Sequence, residues 1–104
     1  MAMDDSDLVQ DRGRASAQAD TITILYFARL KEAFGRASER FALPQSVATV
    51  GALREHLRAR GGVWEIELAA AKPVRVAVNQ EIAAPTARLS PGDEIAFFPP
   101  VTGG

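Results

Sequence analysis

Apolar residues alternate with other residues in four segments of the chain, and each alternation predicts a β-strand. The four segments are residues 21–28, 38–43, 73–78 and 94–98. In the first segment Ile22, Ile24 and Tyr26 fall on one face, and the opposite face is also largely apolar. We therefore expect this strand to lie inside the sheet, whereas the second segment, which ends before Pro44, is expected at an edge.

A helical spacing of apolar residues appears in residues 49–60 and predicts the main helix. Val50, Leu53 and Leu57 recur every three or four positions. Thr49 has a side chain suited to an N-cap, and the glycine pair that follows the segment favours a left-handed stop.

The elements follow one another as strand, strand, helix, strand, turn and strand, with the turn at Asn79-Gln80. Residues 29–35 and 63–68 are expected to be short helical or irregular connections. One main helix on one face of a small mixed sheet is an α+β arrangement. A hairpin, then a helix that crosses to a strand beside the first, is the order of the β-grasp fold, which we assign to residues 21–98.

The first twenty residues differ in composition from the rest. They contain five Asp and two Arg, no aromatic residue, and apolar residues of which half are Ala. Such a segment buries too little apolar surface to offset the entropy of ordering it, so residues 1–20 are expected to be a disordered N-terminal extension. The acidic start without an apolar run is unlike a secretory signal.

Composition and charge exclude several classes of protein. Residues 21–104 carry a net charge of +2 without a basic run, so we expect no nucleic-acid partner. No segment is long and apolar enough to predict a membrane span. The chain has no Cys, which excludes a disulfide framework and a thiolate metal site and fits a cytoplasmic location.

The last six residues, 99–104, are the most informative part of the sequence. Pro99 and Pro100 lack the N–H that a strand ladder needs, so they predict an extended exit from the sheet. At roughly 3.3 Å per residue, this tail could project on the order of 20 Å from the domain. Gly103 and Gly104 have no Cβ and would fit a channel too narrow for other residues.

A carboxylate at Gly104 gives this tail a possible chemistry. The carboxylate is a poor electrophile, but adenylation by ATP activates it as an acyl group. A sulfur nucleophile would then produce a thiocarboxylate, whereas an amine would produce an isopeptide. The simpler alternative is that Gly103-Gly104 is only a frayed terminus without a function.

Several motifs resemble one known family, the small subunit of molybdopterin synthase, or molybdopterin-converting factor sulfur carrier. The most specific one is PGDEIAFFPPVTGG at residues 91–104. ILYFARLKE at residues 24–32, TVGALREHL at residues 49–57 and VAVNQ at residues 76–80 also resemble the family. The similarity spans residues 21–104, and the departure is the segment 1–20, which the usual member lacks.

The resemblance implies a ubiquitin-like β-grasp fold and a role as a sulfur carrier without an internal active site. A ubiquitin-activating-like adenylyltransferase would use ATP to adenylate Gly104, and a sulfur donor protein would convert it to a thiocarboxylate. The large synthase subunit, which holds the catalytic side chains, would pass this sulfur to cyclic pyranopterin monophosphate to build the molybdopterin dithiolene. The resemblance also implies a heterotetramer of two small and two large subunits, with no cofactor bound to the carrier.

Three apolar residues are candidates for the surface that binds the large subunit. Phe27 and Phe98 lie opposite the apolar faces of their strands, and Ile82 follows the Asn79-Gln80 turn. An exposed apolar cluster beside the tail would suit docking, with aromatic residues as anchors. The alternative is that the three side chains complete the core. The tail residues expected to enter the partner are Pro99, Pro100, Val101, Thr102, Gly103 and Gly104.

The remaining candidates point to ordinary structural roles. His56, the only histidine, lies on the polar side of the main helix and is expected to be solvated. Glu65 and Glu67 are likewise expected to be solvated rather than a catalytic pair, and Trp64 is expected to pack inward. We therefore predict no metal site.

Two other functions share the fold and the Gly-Gly end. One is a ubiquitin-like modifier that is joined to lysines of target proteins. The other is a sulfur carrier for a different pathway, such as thiamine synthesis. Fold alone does not choose among the three.

Overall fold

A five-stranded mixed sheet forms the centre of the domain. The structure, a computed structural model, describes residues 20–100. The strands are β1 (Thr21–Tyr26), β2 (Ser38–Ala42), β3 (Arg75–Val78), β4 (Glu81–Ile82) and β5 (Glu94–Phe98). Their order across the sheet is β2-β1-β5-β3-β4, in which β1 and β5 are parallel and the other pairs are antiparallel. The α+β, β-grasp prediction is confirmed, with β1 inside the sheet and β2 at its edge.

The sequence pattern did not predict β4. The two residues of this strand pair with the end of β3, with Ala77 opposite Ile82. The predicted turn between them is present, and both Asn79 and Gln80 have positive φ angles, of 50° and 72°. β4 is too short to show an alternation of its own.

Within residues 20–100, three helices pack against one face of the sheet. They are α1 (Arg29–Phe34), α2 (Val50–Arg58) and α3 (Val63–Glu67). The predicted cap of the main helix α2 is confirmed, because the amide of Ala52 donates to Thr49 Oγ1 at 3.1 Å. α2 ends two residues earlier than predicted, and Gly61, with φ 81°, reverses the chain after it.

The core lies between the helices and the inner face of the sheet. Ile22, Ile24 and Tyr26 of β1 are buried there, as the alternation predicts. Phe97 of β5 is also fully buried, whereas its neighbour Phe98 is only half-buried. The prediction that one of these two phenylalanines lies outside the core is therefore confirmed.

Two predicted regions fall largely outside the part of the chain that the structure describes. These are the extension at residues 1–20, of which only Asp20 is described, and the last four residues of the tail, Val101, Thr102, Gly103 and Gly104. Among the helices of residues 20–100, none has the length and hydropathy needed to cross a membrane.

Candidate docking surface and tail exit

The face of the sheet that points away from the helices carries a continuous row of apolar residues. Leu25 lies opposite Ala96, Ala96 opposite Ala77, and Ala77 opposite Ile82. Because opposite residues in neighbouring strands share a face, these four side chains cross the sheet from β1 to β4. Ile82 at the end of the row is 64% exposed.

Two phenylalanines extend this row toward the end of β5. The amide of Phe27 donates to the carbonyl of Phe97 at 3.1 Å, which continues the parallel ladder one residue beyond β1. Phe27 is 48% exposed, and Phe98 is half-buried opposite Arg75. We call Leu25, Phe27, Ala77, Ile82, Ala96 and Phe98 the outer patch. The three residues selected from the sequence are thus outside the core cluster, and the alternative that they complete the core is wrong.

The tail leaves the sheet between two clefts. Pro99 and Pro100 follow β5 directly and are half-buried. A cleft of about 240 Å³ on one side is lined by both prolines together with Arg29, Glu67 and Pro73, among others. A second cleft of about 350 Å³ is lined by Pro100, Pro73, Val74, Arg54 and Ile82, among others. The exit is therefore bordered by α1, α2 and the loop before β3.

An ion pair between Arg29 and Glu67 borders the smaller cleft. Arg29 Nη2 on α1 lies 2.7 Å from Glu67 Oε1 on α3, and the Glu67 side chain is only 18% exposed. The expectation that Glu67 is simply solvated is therefore wrong. Glu65 is exposed, as is His56, whose ring meets Phe41 edge to face. Within residues 20–100, no three His, Cys, Asp or Glu side chains are grouped closely enough to hold a metal ion.

The geometry therefore brings an apolar sheet face, a double proline and two clefts to one end of the domain. The chain matches the ThiS family over residues 24–104, which include the second half of β1, the strands β2 to β5 and the tail. It belongs to the ThiS family.

Relatives of this ThiS-family chain include proteins with assigned roles. The "Molybdopterin synthase sulfur carrier subunit" of Haemophilus influenzae is 41% identical over 83 residues, which are 80% of this chain and 99% of that protein. Among solved structures, small archaeal modifier protein 1 of Haloferax volcanii is 29% identical with a TM-score of 0.65, covering 78% of this chain and 98% of that one.

A further solved structure is a protein–protein complex of subunits 1 and 2 of molybdopterin-converting factor from Helicobacter pylori. It contains a chain with a TM-score of 0.53 and 22% identity, which covers 81% of this chain and 99% of that one. At this identity the likeness is one of fold. The ubiquitin-like β-grasp fold of this ThiS-family chain is thus shared with both solved structures.

The sequence pattern did not indicate two charged residues of this ThiS-family domain whose hydrogen bonds join separate elements of the fold. Arg54 on α2 donates hydrogen bonds to three backbone carbonyls, of Leu68, Ala69 and Lys72, at 2.9, 2.6 and 3.1 Å. Burial lowers the pKa of the Arg54 guanidinium. The position of Arg54 one residue after the buried Leu53 was the available signal, because it places the side chain at the border of the helix's apolar face.

The second missed residue is Glu39 on β2. Its carboxylate accepts a hydrogen bond from Tyr26 Oη at 2.6 Å and two from Arg60, at 2.9 and 3.0 Å. Arg60 in turn lies 4.4 Å above the ring centre of Trp64, and that ring stacks on Phe34 at 3.8 Å. Trp64 thus packs inward as predicted, although it is only partly buried.

Proposed function

We propose that the chain is the sulfur carrier of molybdenum cofactor biosynthesis, acting as the small subunit of molybdopterin synthase. The observation that carries the proposal is the extent of similarity. The match to the ThiS family runs to residue 104, and the relative named a molybdopterin synthase sulfur carrier subunit aligns over 99% of its own length. The Gly-Gly end therefore belongs to the matched region.

In the proposed cycle, the carboxylate of Gly104 is the group that reacts. The Gly104 carboxylate attacks the α-phosphorus of ATP in an activating adenylyltransferase, and pyrophosphate leaves. A donor protein then supplies sulfur at the oxidation level of sulfide, which attacks the acyl carbon of the adenylate; AMP leaves, and the product is a thiocarboxylate. No cofactor is bound by the chain itself, and we place the cycle in the cytoplasm.

Delivery of the sulfur takes place in the large synthase subunit in this proposal. The outer patch docks on that subunit, with Phe27, Ile82 and Phe98 as contacts, and the tail from Pro99 onward enters its active site. Two small and two large subunits form a heterotetramer. The support from this chain is the adjacency of the apolar patch and the exit, since Phe98 belongs to the patch and Pro99 begins the tail.

The arrangement of the exit suits this role physically. Two successive prolines, Pro99 and Pro100, follow β5, and they cannot continue its hydrogen-bonded ladder because they lack an N–H. Gly103 and Gly104 allow a close approach of backbone to the walls of a narrow channel. The large subunit supplies the catalytic side chains, and the carrier supplies the activated sulfur.

The test is intact mass spectrometry after incubation with the activating enzyme, ATP and a sulfur source. We expect one oxygen of the chain to be replaced by one sulfur, and we expect this change to be absent when Gly104 is deleted. Circular dichroism of the deletion variant should match that of the full chain. An unchanged mass with an activating enzyme that is active on another carrier would overturn the proposal.

A second candidate function is conjugation to lysines of other proteins. It is favoured by the 29% identity to small archaeal modifier protein 1. Expression of an epitope-labelled chain would then give a ladder of conjugates that depends on Gly104 and resists reduction. A carrier for another pathway would instead be identified by the large partner that it activates for sulfur transfer.

A further inference from the structure

The side chain of Arg54, on α2, binds the loop at residues 68–74, which borders the tail exit. Its Nε donates to the carbonyl of Leu68, where α3 ends, and its Nη2 donates to the carbonyls of Ala69 and Lys72. The carbonyls at a helix end have no partner within the helix, so a guanidinium that binds them fixes where the chain turns. One side chain thereby joins the middle of α2 to the whole connection between α3 and β3.

The loop's own hydrogen bonds pass through the same carbonyls. The carbonyl of Ala69 also accepts from the amide of Lys72, and the carbonyl of Lys72 also accepts from the amide of Val74, both at 2.9 Å. Arg54 therefore reinforces the two turns that determine the path of residues 68–74. Its planar fork, with several N–H groups held in fixed directions, can serve the three carbonyls together.

This loop lies beside the two prolines because of the sheet topology. β3 and β5 are antiparallel, and Arg75 at the start of β3 is opposite Phe98 at the end of β5. The residues just before β3 consequently lie next to those just after β5. Pro73 and Val74 line both clefts together with Pro100, and Arg54 itself lines the larger one.

We propose that Arg54 is a positioning residue for the tail. Its side chain holds the loop at residues 68–74 in place, and this loop forms the wall that sets the direction of Pro99 and Pro100. This inference rests on the proposed function for its consequence, because the direction of the prolines decides how Gly104 is presented to the large subunit. Arg54 does not touch the reacting atoms. Its effect is on the rate of delivery and not on the docking of the outer patch.

The test compares Arg54→Met, Arg54→Lys and the control Arg58→Lys. Arg58 lies on the same helix and pairs with Glu55 of that helix at 2.9 Å, so its substitution keeps the loop contacts of Arg54. Lysine at position 54 keeps the charge but offers one nitrogen in place of the fork. Should the methionine variant fail to fold, the lysine variant decides on the same measurements.

The first measurement is nuclear magnetic resonance relaxation on the free protein. We expect increased fast motion of the Lys72 and Val74 amides and of the Pro100 Cα in both position-54 variants, with β1 unchanged. The Arg58→Lys protein should match the wild type. A folded position-54 variant with wild-type order at the loop and at Pro100 would overturn the proposal, whether or not the chain carries sulfur.

The second measurement is sulfur transfer in a single turnover with the thiocarboxylated chain. We expect the rate at saturating large subunit to fall on the order of tenfold, while the Kd for that subunit stays unchanged, because misalignment affects the reaction and not the docking surface. A raised Kd with an unchanged saturating rate would contradict the positioning role. Absence of transfer by the wild type would instead count against the proposed function, and the relaxation data would still decide the role of Arg54.

Discussion

The Tyr26 hydroxyl donates a 2.6 Å hydrogen bond to Glu39 Oε2, which joins the buried strand β1 to the edge strand β2. Arg60, just beyond α2, holds the same carboxylate with two bonds. Burial of Glu39 on its own would raise the pKa of this carboxyl. The hydrogen bonds from Arg60 and Tyr26 and the charges of Arg60 and Arg36 outweigh burial, so the pKa is lowered. Glu39 therefore connects both strands to the end of the main helix.

We predict that Glu39 makes the domain sensitive to acid. A carboxyl whose pKa is lowered on folding stabilises the folded state above its ordinary pKa of 4.5, and this stabilisation is lost as the pH falls through the folded value. Glu39→Gln should cost about 1–2 kcal/mol at neutral pH, from weakened charge-assisted hydrogen bonds, and should lose less stability than wild type below pH 4.5.

Urea denaturation at neutral pH and below pH 4.5 would measure this difference. Glu32→Gln on α1, an exposed carboxyl, serves as the control and should follow the wild type. Parallel losses of stability in the wild type and in Glu39→Gln on acidification would contradict the assignment.

Tyr26 should behave in the opposite way, in alkali. Burial and the bond to Glu39 both raise the pKa of its phenol above the ordinary value of 10.0. The unfolded chain then releases this proton near pH 10 while the folded chain keeps it, so stability is complete below pH 10 and declines above it. Tyr26→Phe should remove this alkaline decline and cost about 1 kcal/mol at neutral pH.

The amino-acid composition allows the ionisation of Tyr26 to be followed directly by absorbance at alkaline pH. Tyr26 is the only tyrosine, so phenolate absorbance reports this residue alone. We expect the absorbance to rise together with the loss of far-ultraviolet circular dichroism. A phenolate titration near pH 10 in a protein that keeps its native dichroism would show that Tyr26 is not held as described.

Local patterns predicted the parts of the fold that depend on local periodicity. Alternation placed Ile24 and Tyr26 inside and separated Phe97 from Phe98, because side chains of a strand point to opposite faces. β4 was missed since its two residues become a strand only through their pairing with β3. Its existence is a property of the sheet and not of the segment.

Charged residues of the domain show the same limit. Arg54 and Glu39 look like solvated residues in the sequence, and their partners are 13 to 21 positions away. Long-range contacts of this kind have no periodic signature. The exposure of Phe27 and Ile82 was predictable from strand phase and turn position, whereas the large subunit as their partner stays a prediction. The four residues Val101 to Gly104, named for the tail, lie outside the described residues.

Two residues that precede helices share one unusual backbone conformation. Ala28, before α1, has φ 56° and ψ −132°, and Gly62, before α3, has φ 57° and ψ −132°. Only glycine adopts this region without strain, which costs a residue with a Cβ about 1–3 kcal/mol. We predict that Ala28→Gly stabilises the domain by about 1 kcal/mol, after the added chain entropy of glycine is subtracted.

Gly62→Ala provides the matched control for this prediction. A Cβ at Gly62 would meet no atom within 4 Å, so its effect reports backbone strain without a clash. We expect a loss of about 1–3 kcal/mol in urea denaturation. Equal stability of Ala28→Gly and the wild type, alongside a destabilised Gly62→Ala, would show that the two positions are not equivalent.

Phe97 and Phe98 are neighbours in β5, and we predict that their substitution by alanine has different effects: one mainly on stability, the other mainly on binding to the large subunit. Phe97 is fully buried, and Phe97→Ala should cost about 3–5 kcal/mol of unfolding free energy through the cavity that it leaves. Phe98 belongs to the outer patch, so Phe98→Ala should cost about 1 kcal/mol of stability but weaken binding to the large subunit by about 2 kcal/mol or more, as expected of an aromatic anchor. Urea denaturation and calorimetric titration measure the two quantities, and Arg75→Ala, opposite Phe98 in the sheet, tests whether loss of any nearby side chain has the same effect. A Phe98→Ala protein that binds like the wild type but unfolds much more easily would show that this ring serves the domain and not the partner.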